Sequence, residues 1–315
     1  MPPRVIVIAG PTASGKTRLG IELAKLYNGE IVSADSMQIY RGMDIGTAKV
    51  TREECAEIPH HLIDVADPCE SWSVSRYVEE ASKVCDALVE RGKMPVIVGG
   101  TGLYIDSLLS GRDFADTQED KALRNELSEE YDRLGGEAML ERLRTFDPER
   151  AAKLAPTDKR RILRAIEIYR LTGTTITAHD AATRALPPRY DAAFIVLNYK
   201  NRADLYARID KRVDKMIADG LFDEVKKLLE EGLSPQSTAM QAIGYKESAD
   251  ALSGRISRAE AIEKIKISSH RYAKRQITWF GRREDALRIL FDTDPDFEYA
   301  VRLSCEFLTQ RGIDN

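Results

Sequence analysis

The 315-residue chain has little of what would place it in a membrane, outside the cell or directly on a charged polymer. No apolar run approaches the roughly 20 residues that a membrane span needs. The N-terminus enters a strand pattern at once, without the apolar segment and cleavage site of a secretory signal. A cytoplasmic protein with no membrane partner is the expectation. The four cysteines, Cys55, Cys69, Cys85 and Cys305, are scattered without a C-x-x-C pair. That spacing argues against a zinc ribbon or redox dithiol and for reduced, mostly buried thiols. His60-His61 follow Cys55 but do not form two ligand groups at zinc spacing, so they read as strand-edge, core-packing residues ahead of Leu62-Ile63-Asp64-Val65. Positive charge is short too: 47 Lys and Arg against 51 Asp and Glu leave a net charge of -4. Any nucleic acid must therefore be met by a local basic patch.

What is present begins with Gly10-Pro11-Thr12-Ala13-Ser14-Gly15-Lys16-Thr17, a P-loop pattern. The apolar run Val5 to Ala9 precedes it, and a helical pattern through Leu19, Ile21, Leu23, Ala24 and Leu26 follows. Gly10 and Gly15 let the backbone fold around a diphosphate, whose charge is met by successive amides and the helix dipole. Lys16 adds a point charge, and Thr17 is placed to ligate Mg²⁺. Alone, the loop predicts an ATP or GTP site. It says diphosphate and leaves the reaction open.

Strands expected at Glu30 to Ala34, Met94 to Val98, Phe194 to Leu197 and Leu287 to Phe291 alternate with helices expected at about 74–91, 201–218 and 221–231. A further long helix opens on the capping box Ser257-Arg258-Ala259-Glu260. Such alternation predicts an α/β protein with a parallel sheet, and ligands at the carboxyl ends of its strands. Between about Asp113 and Pro188 the strand pattern gives way to charged helical sequence, with a start at Asp147-Pro148 and stops at Gly135-Gly136 and Gly173. The expected organisation is a P-loop parallel-sheet core over 1–112 and 189–315, with a mainly helical insertion domain over 113–188.

Asp35 ends the second strand and faces the P-loop across the crevice. It can act as a general base, cap the next turn or hold magnesium through its outer shell. Gln38, nearby, can bond an amide-like or purine edge. Gly99-Gly100-Thr101-Gly102 lets backbone approach a ligand, and Thr101 offers a hydroxyl there. Two basic clusters stand out. One is Lys159-Arg160-Arg161 with Arg164; the other runs from Lys264 to Arg283 with Tyr272, Trp279 and Phe280 interleaved and no acid in the run. Basic helices with aromatics suit an RNA backbone and splayed bases, although a solvated helix face is the ordinary reading of either run. Arg208 lies in a mixed-charge helix; turned inward, it would bind a diphosphate bidentately.

Six blocks together resemble the tRNA dimethylallyltransferase (tRNA isopentenyltransferase) family over essentially the whole chain. They are Gly10 to Thr17, Asp35 to Lys49, Gly99 to Tyr104, Lys159 to Arg161, Gln241 to Tyr245 and Lys274 to Phe280. The long second block is the most specific. The resemblance implies transfer of a dimethylallyl group from dimethylallyl diphosphate to N6 of adenosine 37, beside the anticodon, with diphosphate released. It implies Asp35 as proton acceptor, Thr101 in the reaction channel, and Gly10 to Thr17 with Mg²⁺ on Thr17 and Arg208 opposite as holders of the leaving diphosphate. It implies contact with the tRNA anticodon stem-loop by Asp35, Ser36, Met37 and Gln38, by Thr101, by Lys159, Arg160, Arg161, Ile162 and Leu163, and by Met240, Gln241, Ala242, Ile243, Gly244 and Tyr245. The compact bacterial type, without a zinc-finger extension and acting as a monomer, is the form expected. A P-loop small-molecule kinase would also explain the loop, Asp35 and the sheet, but leaves the basic clusters without a purpose. A non-catalytic RNA-binding module would explain those clusters and leave Asp35 and Thr101 unused.

Overall fold

Val5 to Ala9 have no polar face to offer water, so this segment is stable only with sheet neighbours on both edges and helices over both faces. In the computed structural model, which describes residues 2–111 and 120–314, it lies in strand β1 (Arg4–Ala9), and all five side chains are completely buried. Helix α1 (Lys16–Leu26) follows, then strand β2 (Gly29–Ser33), helix α2 (Arg52–Glu57), strand β3 (His60–His61), helix α3 (Val74–Glu90), strand β4 (Met94–Gly99) and helix α4 (Gly102–Leu109). Helix α3 opens on a side-chain cap from Ser73 to the Arg76 amide and ends before Gly92, whose φ of +67° breaks the helix.

Among the described residues, helices α5 (Lys121–Leu134), α6 (Gly136–Arg144), α7 (Pro148–Ala151), α8 (Lys159–Thr172) and α9 (Ile176–Arg184) come next. The chain then gives strand β5 (Asp191–Tyr199), helices α10 (Arg202–Ala218), α11 (Leu221–Glu230), α12 (Tyr245–Leu252) and α13 (Arg258–Phe280), strand β6 (Leu287–Phe291) and helix α14 (Phe297–Gln310). Helix α13 starts on a reciprocal capping box, in which Ser257 Oγ accepts the Glu260 amide at 3.2 Å and Glu260 accepts the Ser257 amide at 2.9 Å.

The strands form one parallel sheet in the order β3-β2-β4-β1-β5-β6. The fold is α/β. His60-His61 form the edge strand itself; His61 Nε2 lies 2.7 Å from the Glu30 carboxylate and His60 Nδ1 2.7 Å from the Ile58 carbonyl. Among the described residues, no group of three or more His, Cys, Asp or Glu is arranged to hold a metal, and no helix is long and apolar enough to cross a membrane.

The chain divides into two compact units, Met1–Leu109 with Arg189–Asn315, and Ser110–Pro188. The expected start of the insertion, Asp113, lies outside the described residues. The smaller unit is helical and closes on its own core of Leu127, Met139, Leu143, Ile162 and Ile166. Asp147, almost fully buried, caps α7 through the Arg150 amide and also accepts from the Thr177 hydroxyl at 2.5 Å, tying α9 to α7.

Register brings three loops of the larger unit to one rim. Ala9 pairs with Gly99 and Ser33 with Val98, so β1, β4 and β2 end side by side. The Thr101 amide then bonds the Ala34 carbonyl at 3.1 Å, and a Cβ on Gly99 would sit 2.2 Å from that carbonyl. Glycine is required there because two loops cross at backbone distance.

Candidate active site

Left-handed backbone at Ala13 (φ +63°) and Gly15 (φ +88°) folds the loop after β1 back on itself, and the Ser14 amide closes it on the Pro11 carbonyl at 3.3 Å. Lys16 Nζ donates to the same carbonyl at 2.7 Å. Behind the loop, Phe297 of α14 fills the space a side chain at Gly15 would need, since a Cβ there would lie 2.3 Å from its Cζ. In front lies a cavity of about 770 Å³, lined by Thr12, Lys16, Thr17, Asp35, Arg212 and Tyr272 among others. Dehydration of the Lys16 ammonium, with repulsion from Arg212, outweighs the attraction of Asp35 and brings the lysine pKa down to about 7. Two cations against one carboxylate leave unmet positive charge, for which a diphosphate is the matching ligand.

Asp35 Oδ1 accepts the Met37 amide at 2.9 Å and the Gln38 amide at 3.4 Å, while Oδ2 accepts no hydrogen bond among the described residues. One oxygen caps the turn and the other is left for chemistry. The carboxylate also lines a second cavity of about 980 Å³, bounded by Met37, Met216, Ala242, Ile243 and Arg275. Thr12, Asp35, Arg212 and Tyr272 line both cavities, so they form the partition between them. Thr101 Oγ1 accepts the Ser36 amide at 3.1 Å, and Tyr272 lines both cavities together with Asp35. Burial, then the Asp35 charge, pushes the Tyr272 phenol up to about 12, so it stays a proton-bearing donor at neutral pH.

Comparison with known proteins decides which chemistry this arrangement belongs to. The family pattern described as IPP transferase matches residues 38–284, and that described as isopentenyl transferase matches residues 3–65. A tRNA dimethylallyltransferase of Caldanaerobacter subterraneus is 49% identical over 278 residues, 88% of each chain. That of Carboxydothermus hydrogenoformans is 44% identical over all of this chain and 99% of its own. The chain belongs to the tRNA dimethylallyltransferase family.

Among solved members, the full-length tRNA isopentenylpyrophosphate transferase of Bacillus halodurans superposes with a TM-score of 0.72 at 41% identity, covering 98% of this chain and 96% of its own. A eukaryotic dimethylallyltransferase acting on tRNA reaches a TM-score of 0.81 at 29% identity, over 98% of this chain and 80% of its own.

In this family member the structure gathers Thr12, Lys16, Thr17 and Asp35 in one cavity wall and brings Thr101 against Ser36. Arg208 stands beside the P-loop, its Nε 3.5 Å from the Ala13 carbonyl, but the arginine inside the cavity is Arg212, one helical turn further along α10. Gln38 Nε2 donates to the Thr47 and Ala48 carbonyls, both at 3.2 Å, so the donor half of its amide holds that turn while the residue lines the cavity. Several residues expected at tRNA face inward. Ile162 is completely buried and Leu163 nearly so, because α8 turns them into the core of the smaller unit. Met240 and Tyr245 are completely buried as well, leaving Gln241 exposed and Ala242 and Ile243 on the second cavity.

Lys159 is paired with Asp132 at 2.6 Å, whereas Arg160 and Arg161 are exposed. The second basic run lacks acids only along the sequence. In space, Lys266 meets Asp214 at 2.7 Å and Arg283 meets Asp106 at 2.9 Å, leaving Lys264, Arg271, Lys274, Arg275 and Arg282 at the surface.

Sequence reading passed over Arg212, Gln276 and Glu224. The i,i+4 spacing from Arg208 put Arg212 on the same helix face and was the available signal. Glu224 of α11 accepts the amides of Asp44, Ile45 and Gly46 at 2.9, 2.8 and 3.2 Å and the Tyr245 hydroxyl at 2.5 Å. One carboxylate thus pins the Asp44 to Gly46 turn, which leads into the second cavity at Gly46 and Thr47.

Proposed function

We infer that this chain transfers a dimethylallyl group from dimethylallyl diphosphate to N6 of adenosine 37 in tRNA, giving N6-(dimethylallyl)adenosine and diphosphate. It is a prenyltransferase acting on tRNA, in keeping with its family. The observation that carries the reading is the partition: a cationic cavity built on the P-loop and a larger, more apolar one meet at Asp35. Two substrates held on either side of one carboxylate is the arrangement a proton-coupled group transfer requires.

In this reading the P-loop amides, Lys16, Arg208 and Arg212 hold the donor diphosphate, and the cradle serves a leaving group rather than ATP. The adenine leaves the anticodon-loop stack and enters the second cavity. N6 attacks C1 of the allyl chain, the C1–O bond breaks, and its electron pair departs on diphosphate. Asp35 accepts the N6 proton, while Thr101 and Tyr272 fix the geometry beside it. Cations around the cradle stabilise the charge that grows on the departing oxygen. Exposed Arg160 and Arg161 of the smaller unit, and Arg271, Lys274 and Arg275 on α13, are suited to RNA phosphates.

Magnesium fits this donor set. Mg²⁺ takes oxygen ligands and keeps several waters; Thr17 and Asp35 bring oxygens to the cavity, and the buried Ser14 hydroxyl has no hydrogen-bond partner among the described residues. Thr17 would hold the ion together with diphosphate oxygens, and the ion would neutralise charge on the leaving group.

Incubation with labelled dimethylallyl diphosphate and unmodified tRNA, in parallel with labelled ATP and a metabolite panel, tests the reading. Label is expected in the tRNA at adenosine 37. Phosphoryl transfer from ATP without labelling of tRNA would overturn it in favour of a kinase.

A further inference from the structure

Helix α13 has two unlike faces around one residue. Lys274 and Arg275 are exposed, whereas the next side chain, Gln276, is only 5% exposed and reaches into the rim of the sheet. Its Oε1 accepts the Thr12 amide at 2.8 Å, and its Nε2 donates to the Gly100 carbonyl at 2.9 Å. Thr12 belongs to the loop after β1 and Gly100 to the loop after β4. A single primary amide therefore bridges two loops that the sheet itself leaves unconnected. Gly100 makes room for it, because a Cβ there would lie 2.1 Å from Gln276 Nε2. The same side chain lines the cationic cavity.

We propose that Gln276 is a positioning residue for the donor diphosphate, setting the shape of the P-loop by holding Thr12 at a fixed distance from Gly100. The loop needs such a brace. Its left-handed turn at Ala13 is a conformation that alanine adopts at a cost, and the Thr12 amide just before it has Gln276, not a neighbour in the loop, as its acceptor. With the brace in place, the amides after Thr12 converge before the ligand arrives, so binding does not have to order them. Gln276 acts through the loop and takes no proton. Glutamine suits the position because one planar group must accept on one side and donate on the other. A carboxylate could accept from Thr12 but would face the Gly100 carbonyl with a second acceptor and add negative charge beside a diphosphate.

The proposal rests on the P-loop holding diphosphate, and wild-type binding of inorganic diphosphate, measured by calorimetry, tests that premise by itself. Gln276→Met keeps the bulk and removes both hydrogen bonds. It is expected to weaken diphosphate binding about tenfold and raise the KM for dimethylallyl diphosphate by a similar factor, with tRNA affinity changed less than twofold. Gly100→Ala pushes on the same amide from the other side and is expected to reproduce that loss. Where Gln276→Met does not fold, Gly100→Ala carries the test. Combining Gly100→Ala with Gln276→Ala, itself measured as a single variant, leaves nothing for the new methyl to displace, so the double loss should fall well short of the product of the Gly100→Ala and Gln276→Ala losses. Unchanged diphosphate affinity in the single variants, an equal loss of tRNA and diphosphate binding, or strictly multiplicative effects in the double variant would each overturn the proposal.

Discussion

Lys16 gives the sharpest quantitative expectation for the free site. Dehydration and the nearby Arg212 guanidinium lower its pKa to about 7 despite the attraction of Asp35. A bound diphosphate supplies the opposite charge that the empty site lacks and moves the lysine back toward its ordinary range. Binding must then take up protons. At pH 7 about half of the free protein carries a neutral lysine, so the uptake by this group is about 0.5 proton; at pH 8 it is about 0.9 and at pH 6 about 0.1. Lys16→Arg keeps the positive charge but does not titrate in this range, and it serves as the reference that cancels protonation of the diphosphate itself. Titration calorimetry in buffers of different ionisation enthalpy reads the uptake directly.

The sign for folding follows from the same shift. The folded value lies below the unfolded one, so the unfolded chain binds more protons between about pH 7 and 10. This group's contribution to stability therefore rises with pH across that window, and bound diphosphate should flatten the rise. Equal proton uptake by wild type and Lys16→Arg at pH 8 would show that the lysine is already fully charged in the free protein. The account of an under-neutralised cradle would then fail.

Asp35→Ala should lower single-turnover prenylation by about 10²-fold or more with tRNA affinity nearly intact, and a matching loss of binding would remove the carboxylate from the proton-transfer role. Thr17→Ala should raise the magnesium concentration needed for half-maximal rate; an unaltered magnesium titration would exclude the hydroxyl as a ligand. Replacing Lys159, Arg160 and Arg161 together should weaken tRNA binding and flatten its dependence on salt, and an unchanged slope would place the RNA phosphates elsewhere. Glu224→Ala leaves three turn amides and the Tyr245 hydroxyl without their acceptor. Urea unfolding should show a loss of about 3 kcal/mol, and a change below about 1 kcal/mol would mean that the turn finds other partners.

Features written in short stretches of sequence were legible. β1, the P-loop and α1 follow from an apolar run, two glycines and a helical stripe within 26 residues. Asp35 could be placed at the rim because a strand end fixes where the next residues go. What could not be read depends on which way a helix faces. Arg208 and Arg212 are equivalent in spacing, and only the packing of α10 turns the second one into the cavity. Contiguous motif blocks mislead for the same reason, since a helix passing through Lys159 to Leu163 must turn some of them inward, and those are Ile162 and Leu163. The acid-free run along α13 looked like one cationic face. Asp214 and Asp106, distant in sequence, neutralise two of its charges. Helix α14 was not singled out because Ser304 interrupts its buried stripe of Phe297, Ala300 and Leu308.

The packing of Phe297 against Gly15 also bears on the order in which the protein is made. The P-loop leaves the ribosome some 280 residues ahead of the ring that backs it, and before β5 has supplied the carbonyl of Leu197 beneath Gly10. A nascent chain can form α1 early, since its contacts are local, but it lacks the parts that give the loop its final shape. An element that is complete within a short stretch of sequence is thus finished late in space, and a chain released before α14 would carry the motif without the ring that backs it.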